Sequence, residues 1–330
     1  LVGSEMCIRD RDRGVPVLRI GNPSRVNDKM LSFTYERRFE GHPAYAELWG
    51  IRKSIREMGN RMRKSSYSER EAARSRINHL RERATELEIQ INEDLFSGAR
   101  VIASTLVSSN HRILTGRRFT TLFIDEAAQA LEAACWIAIR KADRVIFAGD
   151  HCQLPPTIKC IEAARNGLEQ TLMEKVAANK QETVSLLKVQ YRMHQSIMQF
   201  SSEWFYQGEL QAAPEVTNRG ILDLDLPMSW IDTSEMEFHE EFVGESFGRI
   251  NKPEANLLLQ ELEAYIRKIG EKRVLEERID FGLISPYKAQ VQYLRGKLKG
   301  CLFFRPFRSQ ITIHTVDGLS LIHISEPTRL

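Results

Sequence analysis

Thr121-Leu-Phe-Ile-Asp125-Glu126-Ala-Ala-Gln129 is the stretch on which the reading of this chain turns. A run rich in apolar and β-branched residues ends abruptly in two acids. Unpaired carboxylates cannot be buried inside an apolar sheet, so the run is a strand whose carboxyl end faces solvent or a ligand. The same rhythm spreads outward in both directions. Short apolar runs at residues 15–20, 99–103 and 144–148 predict further strands, and 183–187, 279–284 and 310–313 continue the series. Helical stretches at 131–140, 195–204, 253–269 and 289–299 fall between them. Buried strands of four to six residues separated by helices predict an α/β fold with parallel sheets and crossover helices. In such folds ligands sit outside the carboxyl ends of the strands.

Composition narrows the class without deciding it. A chain of 330 residues suggests about two domains at roughly 150 residues each. It is 42% hydrophobic and 28% charged, which fits a globular protein and excludes disordered or collagen-like chains. No apolar run approaches the roughly 18 residues of a membrane span, so no membrane partner is expected. A net charge of +3 argues neither for nor against nucleic acid. The five cysteines (Cys7, Cys135, Cys152, Cys160, Cys301) are scattered and form no C-x-x-C pair, which fits a reducing, cytoplasmic setting. The ends (1–12 and 320–330) continue no neighbouring pattern and read as a non-native leader and tail.

One segment breaks the rhythm. Residues 34–95 lack strand signals and are charged with helix-forming composition. Between Arg52 and Arg76 stand nine Lys/Arg against three Glu. Ile77, Leu80, Ala84, Leu87, Ile91 and Leu95 recur at three- and four-residue steps, the stripe of an amphipathic helix. Two readings stay open: an arm whose basic side touches phosphates, or a solvated helical hairpin packed on its own stripe.

The strand ends carry the chemistry-bearing residues. Asp125 and Glu126 could hold Mg²⁺ and orient or deprotonate a water, or form a helix cap. Ala148-Gly149-Asp150-His151-Cys152-Gln153-Leu154-Pro155-Pro156 combines a glycine, which permits a tight turn and close backbone approach, with a stiff Pro pair. Its Gln could report on a terminal phosphate, while His151 reads more simply as a loop histidine. Val189-Gln190-Tyr191-Arg192-Met193-His194 places a forked donor just beyond a strand, beside a Tyr able to stack on a base. The plainer reading is a surface Arg and a core Tyr.

Taken in order, Asp125-Glu126-Ala-Ala-Gln129, Gly149-Asp-His-Cys-Gln153-Leu-Pro-Pro156 and Gln190-Tyr-Arg-Met-His194 resemble the motif series of superfamily 1 helicases, most closely the Upf-like group. Phe205-Tyr-Gln-Gly-Glu-Leu210, Asn251 with Glu254-Ala255, Ser285-Pro-Tyr-Lys-Ala-Gln290 and Thr315-Val-Asp-Gly318 extend the resemblance. So do Val17-Leu-Arg-Ile-Gly-Asn-Pro23 and Arg25 near the start, giving a reach from about Arg13 to Gly318. The resemblance implies two RecA-like P-loop NTPase-type domains with ATP in the cleft between them. The first would span 13–182 with a helical insertion at 34–95, and the second 183–319. It further implies Asp125 as Mg²⁺ ligand, Glu126 as the base that activates water, and Gln153 as γ-phosphate sensor. Arg192 becomes an arginine finger and Tyr191 a neighbour of the adenine. Ser104, Thr105 and Thr315 become contacts to a single strand of DNA or RNA, tracked 5′ to 3′. Separately, the protein is expected to be a monomer.

Two departures stand against the family pattern. The 330 residues contain no G-x-x-x-x-G-K-[ST]: the only Gly-Lys pair, Gly296-Lys297, is followed by Leu298. After Asp317-Gly318 the family continues Phe-Gln-Gly-x-Glu, whereas this chain reads Leu319-Ser320. The expectation is therefore an internal piece of a longer helicase, which by itself neither hydrolyses ATP nor unwinds duplexes. Two rival readings are a non-catalytic nucleic-acid-binding protein on the same scaffold and a metal-dependent phosphoesterase built on Asp125, Glu126, Asp150 and His151.

Overall fold

The computed structural model describes residues 14–22, 28–62, 67–223, 225–244 and 248–316. The expected leader and tail, Pro23, Arg25 and the Asp317-Gly318 pair lie outside these residues. The chain divides into two compact units, with the break between Val184 and Ser185.

In the first unit β1 (Val17–Ile20) and β2 (Val101–Ser104) pair in parallel, Val17 opposite Val101 and Ile20 opposite Ser104. A parallel pair needs a crossover. Here the crossover carries α1 (Asp28–Leu31), α2 (Tyr35–Glu40), α3 (Tyr45–Met62) and α4 (Tyr67–Ser97). Leu48 of α3 packs against Ala84, Leu87 and Ile91 of α4, all buried, with Phe39 and Ile51 flanking them. The stripe predicted from sequence therefore faces inward, with Ile77 buried as well and Leu80 and Leu95 half-buried. Part of the hairpin's charge is matched internally: Arg83 donates to Glu47 at 3.0 Å, Arg52 pairs with Glu88, and Lys53 lies over the Trp49 ring.

A second ladder joins β3 (Phe119–Ile124) to β4 (Ala142–Phe147), again parallel, with α5 (Glu132–Ile139) as its crossover. Ile124, Ala127, Cys135 and Leu172 form the core under it. After β4 come α6 (Ile161–Ala163) and α7 (Leu172–Asn179). Helix α7 starts at a buried capping box: Thr171 Oγ1 accepts the Glu174 N–H at 3.2 Å, and the Glu174 carboxylate accepts the Thr171 N–H at 2.7 Å. Thr171→Ala removes one half of that exchange and is expected to cost about 1 kcal/mol. The effect would be read as a lower urea midpoint at unchanged slope.

The second unit contains β5 (Val189–Gln190), α8 (Gln195–Phe205), β6 (Gln211–Ala212), β7 (Glu241–Val243), β8 (Gly248–Ile250), α9 (Lys252–Ile269), α10 (Glu271–Glu276), β9 (Phe281–Ser285), α11 (Lys288–Gly300) and β10 (Ile311–Thr315). Strands β5 and β6 run parallel, as do β9 and β10, whereas β7 and β8 form an antiparallel pair. Asn251 caps α9 by accepting the Glu254 N–H at 3.0 Å, and Pro253 suits the first turn, where its missing N–H is not needed. Among the described residues the largest core lies here, with Ile266, Val274, Leu294, Phe304 and Phe307 at its centre.

The strand predicted at 183–187 does not form. Gln181–Thr183 is a 3₁₀ turn, and Val184 and Leu187 are exposed (52% and 86%). An apolar run becomes a strand only where a neighbouring strand completes its hydrogen bonds. Here that partner, β6, meets the chain at Val189–Gln190 instead. Among the described residues the parallel strands form separate two-strand ladders rather than one broad sheet per unit.

Candidate active site

Asp125 and Glu126 follow directly on β3. Asp125 Oδ1 accepts the Glu126 N–H at 3.0 Å, and Glu126 itself adopts the left-handed conformation (φ 49°, ψ 37°). A side chain-bearing residue costs about 1–3 kcal/mol there and stays only where its surroundings over-determine it. They do. The Ala127 N–H donates to Ala148 O at 2.9 Å and the Gln129 N–H to Glu126 O at 2.9 Å, locking the turn to the end of β4.

Gly149 allows that contact. A Cβ at this position would stand 2.9 Å from Ala127 N and 3.1 Å from both Ala128 N and Met173 Sδ. Two of those atoms are backbone and cannot step aside cheaply. Gly149→Ala is therefore expected to lose about 1–3 kcal/mol, as overpacked sites do, in a urea titration of the first unit.

The same loop supplies Asp150 and Gln153. Asp150 Oδ1 accepts the Cys152 N–H at 3.0 Å, and its Oδ2 accepts from Gln153 Nε2 at 2.8 Å. The glutamine predicted to sense a phosphate is thus tethered by the neighbouring acid. Sequence reasoning had no signal for that tether. Desolvation by the surrounding loops raises the Glu126 carboxyl above its ordinary pKa, and the charges of Asp125 and Asp150 add to the effect. Desolvation and Asp150 likewise push the Cys152 thiol up, so it stays protonated and is a poor nucleophile.

The remaining predicted residues also lie at carboxyl ends of parallel strands. Ser104 closes β2, and Thr105 follows it. The Thr105 hydroxyl donates to Ser108 Oγ at 2.8 Å and accepts the Ser108 N–H at 3.2 Å, which makes a local turn of it. In the second unit Tyr191 and Arg192 leave β5. The Gln190 side chain holds that loop: its Oε1 accepts the N–H groups of Arg192 (2.8 Å) and Met193 (2.9 Å), while its Nε2 donates to Met193 O (2.8 Å). Tyr191 is 67% exposed, so the core-tyrosine reading falls. Among the described residues the Arg192 guanidinium has no carboxylate partner, and its backbone oxygen accepts from Arg219 Nη1 at 3.4 Å. His194 caps α8 by accepting the Ser196 N–H on Nδ1 at 3.0 Å. Thr315 ends β10 opposite Ser285.

The structure brings Asp125, Glu126, Asp150 and Gln153 together on two adjacent strand ends of one unit. Asp125 suits a hard cation: it is exposed, one oxygen accepts a backbone N–H and the other is uncommitted, and Mg²⁺ takes one or two carboxylates beside phosphate oxygens and waters. The phosphoesterase set fares worse. Among the described residues the only trio of His, Cys, Asp or Glu with ligand atoms all within 4.8 Å of one another is Asp150, His151 and Cys152, which leaves out both Asp125 and Glu126. A cavity of about 420 Å³ lined by Phe96, Arg117 and Phe119 lies at the amino end of β3, away from these acids. Parallel-sheet chemistry is not found at that end.

Two family models, each described as an AAA domain, match residues 4–160 and 168–320. An uncharacterized ATP-dependent helicase of Methanocaldococcus jannaschii is 28% identical over 352 residues, covering 92% of this chain and 50% of that protein. The DNA-binding protein SMUBP-2 of Rattus norvegicus is 31% identical over 320 residues, covering 92% of this chain and 31% of its own length. A regulator of nonsense transcripts 1 homolog of Drosophila melanogaster is 34% identical over 233 residues, covering 68% of this chain and 19% of that protein. The chain therefore spans half or less of the length of these relatives.

Proposed function

The chain belongs to the AAA-domain helicases of superfamily 1, in the Upf-like group, and from that membership we propose that it is the two-domain motor of a longer polypeptide that hydrolyses ATP to move along a single nucleic-acid strand. Its two units are RecA-like domains. We assign the first to 13–182, with 34–95 as its helical insertion, and the second to 183–319. The observation that carries the reading is the placement of Asp125–Glu126 and Asp150–Gln153 on adjacent strand ends, tied by the Ala127–Ala148 hydrogen bond.

In this reading a water oxygen attacks the γ-phosphorus, the bond from that phosphorus to the β,γ-bridging oxygen breaks, and ADP leaves. Glu126 takes the water's proton, a task helped by its raised proton affinity. Gln153 exchanges its bond to Asp150 for a γ-phosphate oxygen and so registers whether that phosphate is present. Arg192 supplies a forked, permanently charged donor to the equatorial oxygens, on a loop that Gln190 has already ordered. Tyr191, exposed beside it, packs against the adenine. Mg²⁺, when bound, neutralises charge on the phosphates, and Asp125 is the residue that would hold it.

Ser104, Thr105 and Thr315 offer hydroxyls to the phosphodiester backbone, contacts that position a strand without reading its sequence. They fit DNA and RNA alike. The polarity of movement, 5′ to 3′, follows the family, and we place the protein as a monomer in the cytoplasm, the reducing setting that its scattered cysteines fit.

The test is ATP hydrolysis by the longer polypeptide, with and without single-stranded DNA or RNA. Strand-stimulated hydrolysis is expected there and not in the 330-residue chain alone, which has no G-x-x-x-x-G-K-[ST]. Strand-independent hydrolysis, or divalent-metal cleavage of a phosphodiester without nucleotide, would overturn the reading.

A further inference from the structure

Just past the carboxyl end of β4, Asp150, His151 and Cys152 bring a carboxylate, an imidazole and a thiol together. One ligand atom from each lies within 4.8 Å of the other two. The proposed hydrolysis uses neither the imidazole nor the thiol. The loop that carries them is braced on several sides. Gly149 packs closely on the Ala127–Ala128 backbone. Asp150 Oδ1 accepts the Cys152 N–H at 3.0 Å, and Asp150 O accepts the Gln153 N–H at 3.2 Å. Asp150 and Cys152 are half-buried while His151 is exposed, so the trio has one side on protein and one on water.

The donor set selects its cation. Mg²⁺ takes oxygen ligands and keeps its waters, so sulfur and nitrogen suit it badly. Zn²⁺ accepts thiolate, imidazole and carboxylate alike, and its tetrahedral ligand atoms stand about 3.3–3.8 Å apart. Small side-chain rotations close the trio to that spacing and leave a fourth position to water. We propose that Asp150, His151 and Cys152 bind Zn²⁺ or a cation of the same class, and that the bound ion stops hydrolysis by pinning Gln153. The Cys152 thiol releases its proton to solvent as the sulfur coordinates. Coordination through Asp150 Oδ1 leaves Oδ2 on Gln153 Nε2, the 2.8 Å bond already present. Gln153 then becomes the outer partner that orients a metal ligand, and such partners are worth about 10–100-fold in metal affinity. Moving the glutamine to a phosphate oxygen forfeits that gain, so metal and γ-phosphate compete for it. The binding stands on the trio alone, whereas the control of hydrolysis rests on the reading of Gln153 given above.

The test titrates Co²⁺, a coloured substitute for Zn²⁺, into the reduced 330-residue chain. A thiolate-to-cobalt charge-transfer band is expected at one cobalt per chain, and Zn²⁺ should bleach it. Cys152→Ser should abolish the band, whereas Cys160→Ser, at an exposed cysteine outside the trio, should keep it. His151→Ala alters an exposed side chain, so it probes the site without a packing loss, and it should weaken binding by about 10-fold or more. Gln153→Ala keeps all three ligands and should weaken Co²⁺ by about 10–100-fold. No band in the wild-type chain, or a band that persists in Cys152→Ser, overturns the site. A Gln153→Ala affinity within twofold of wild type overturns the pinning. In the longer polypeptide Zn²⁺ should stop strand-stimulated ATP hydrolysis by wild type and spare His151→Ala; equal inhibition of both overturns the control. A longer polypeptide that hydrolyses no ATP even with chelator present overturns the motor reading instead, and the cobalt band then still decides the site.

Discussion

Glu126→Gln in the longer polypeptide is expected to lower strand-stimulated ATP hydrolysis by a factor of about 10²–10⁴, the usual loss when a positioned general base is removed. That corresponds to about 3–5.5 kcal/mol of barrier. The substitution keeps the side chain's size and the turn that holds it. The left-handed conformation at 126 is set by the Asp125 carboxylate and by the Ala127–Ala148 bond, and neither involves the lost charge. Nucleotide affinity should not fall with the rate. Glu126 sits among Asp125 and Asp150, so neutralising it eases repulsion toward a polyanionic ligand. The signature is therefore split: hydrolysis collapses, while ATP and single-strand binding, measured by titration, stay equal or tighten. A rate within twofold of wild type would mean that the proton goes elsewhere.

Much of this site is legible from residue order alone because acids cannot end an apolar run inside a sheet. Thr121 to Glu126 announces a strand and its exposed carboxyl end in one reading, and β3 stops at Ile124, one residue before the acids. The helices at 195–204, 253–269 and 289–299 likewise fall within a residue or two of α8, α9 and α11. Legibility ends where structure depends on a partner distant in sequence. Residues 183–187 have the composition of a buried strand, yet no neighbour completes their hydrogen bonds. The short antiparallel pair β7 and β8, in a polar stretch, gave no periodic signal at all. Within the site, side-chain types were visible but their hydrogen bonds were not. Nothing in Gly149-Asp150-His151-Cys152-Gln153 says that the acid grips the glutamine, and nothing in Gln190-Tyr191-Arg192 says that the glutamine staples the loop. A Gly beside a strand end hints at close approach. Only the 2.9 Å that would separate an added Cβ from Ala127 N shows that the approach is to the acid-bearing turn.

Phe307→Ala is the substitution expected to cost most stability, about 3–5 kcal/mol, as large-to-small changes of a buried aromatic do. Phe307 is fully buried, its ring centroid 5.6 Å from that of Phe303, which in turn meets Phe304 edge-on at 5.1 Å. Removing one ring leaves a void the other two cannot both move to fill, because their loop is fastened at its far end. The Phe281 N–H donates to Gln310 O at 2.7 Å, and the Gln310 side chain donates to Val274 O at 2.7 Å. A domain is stable by only about 5–15 kcal/mol, so the loss is a large share of the total. It should appear as a fall in the urea midpoint followed by circular dichroism. Phe303→Ala, at a half-buried ring that Arg267 covers at 4.6 Å, should cost less. A Phe307→Ala loss below about 1 kcal/mol would mean that the neighbouring side chains refill the void.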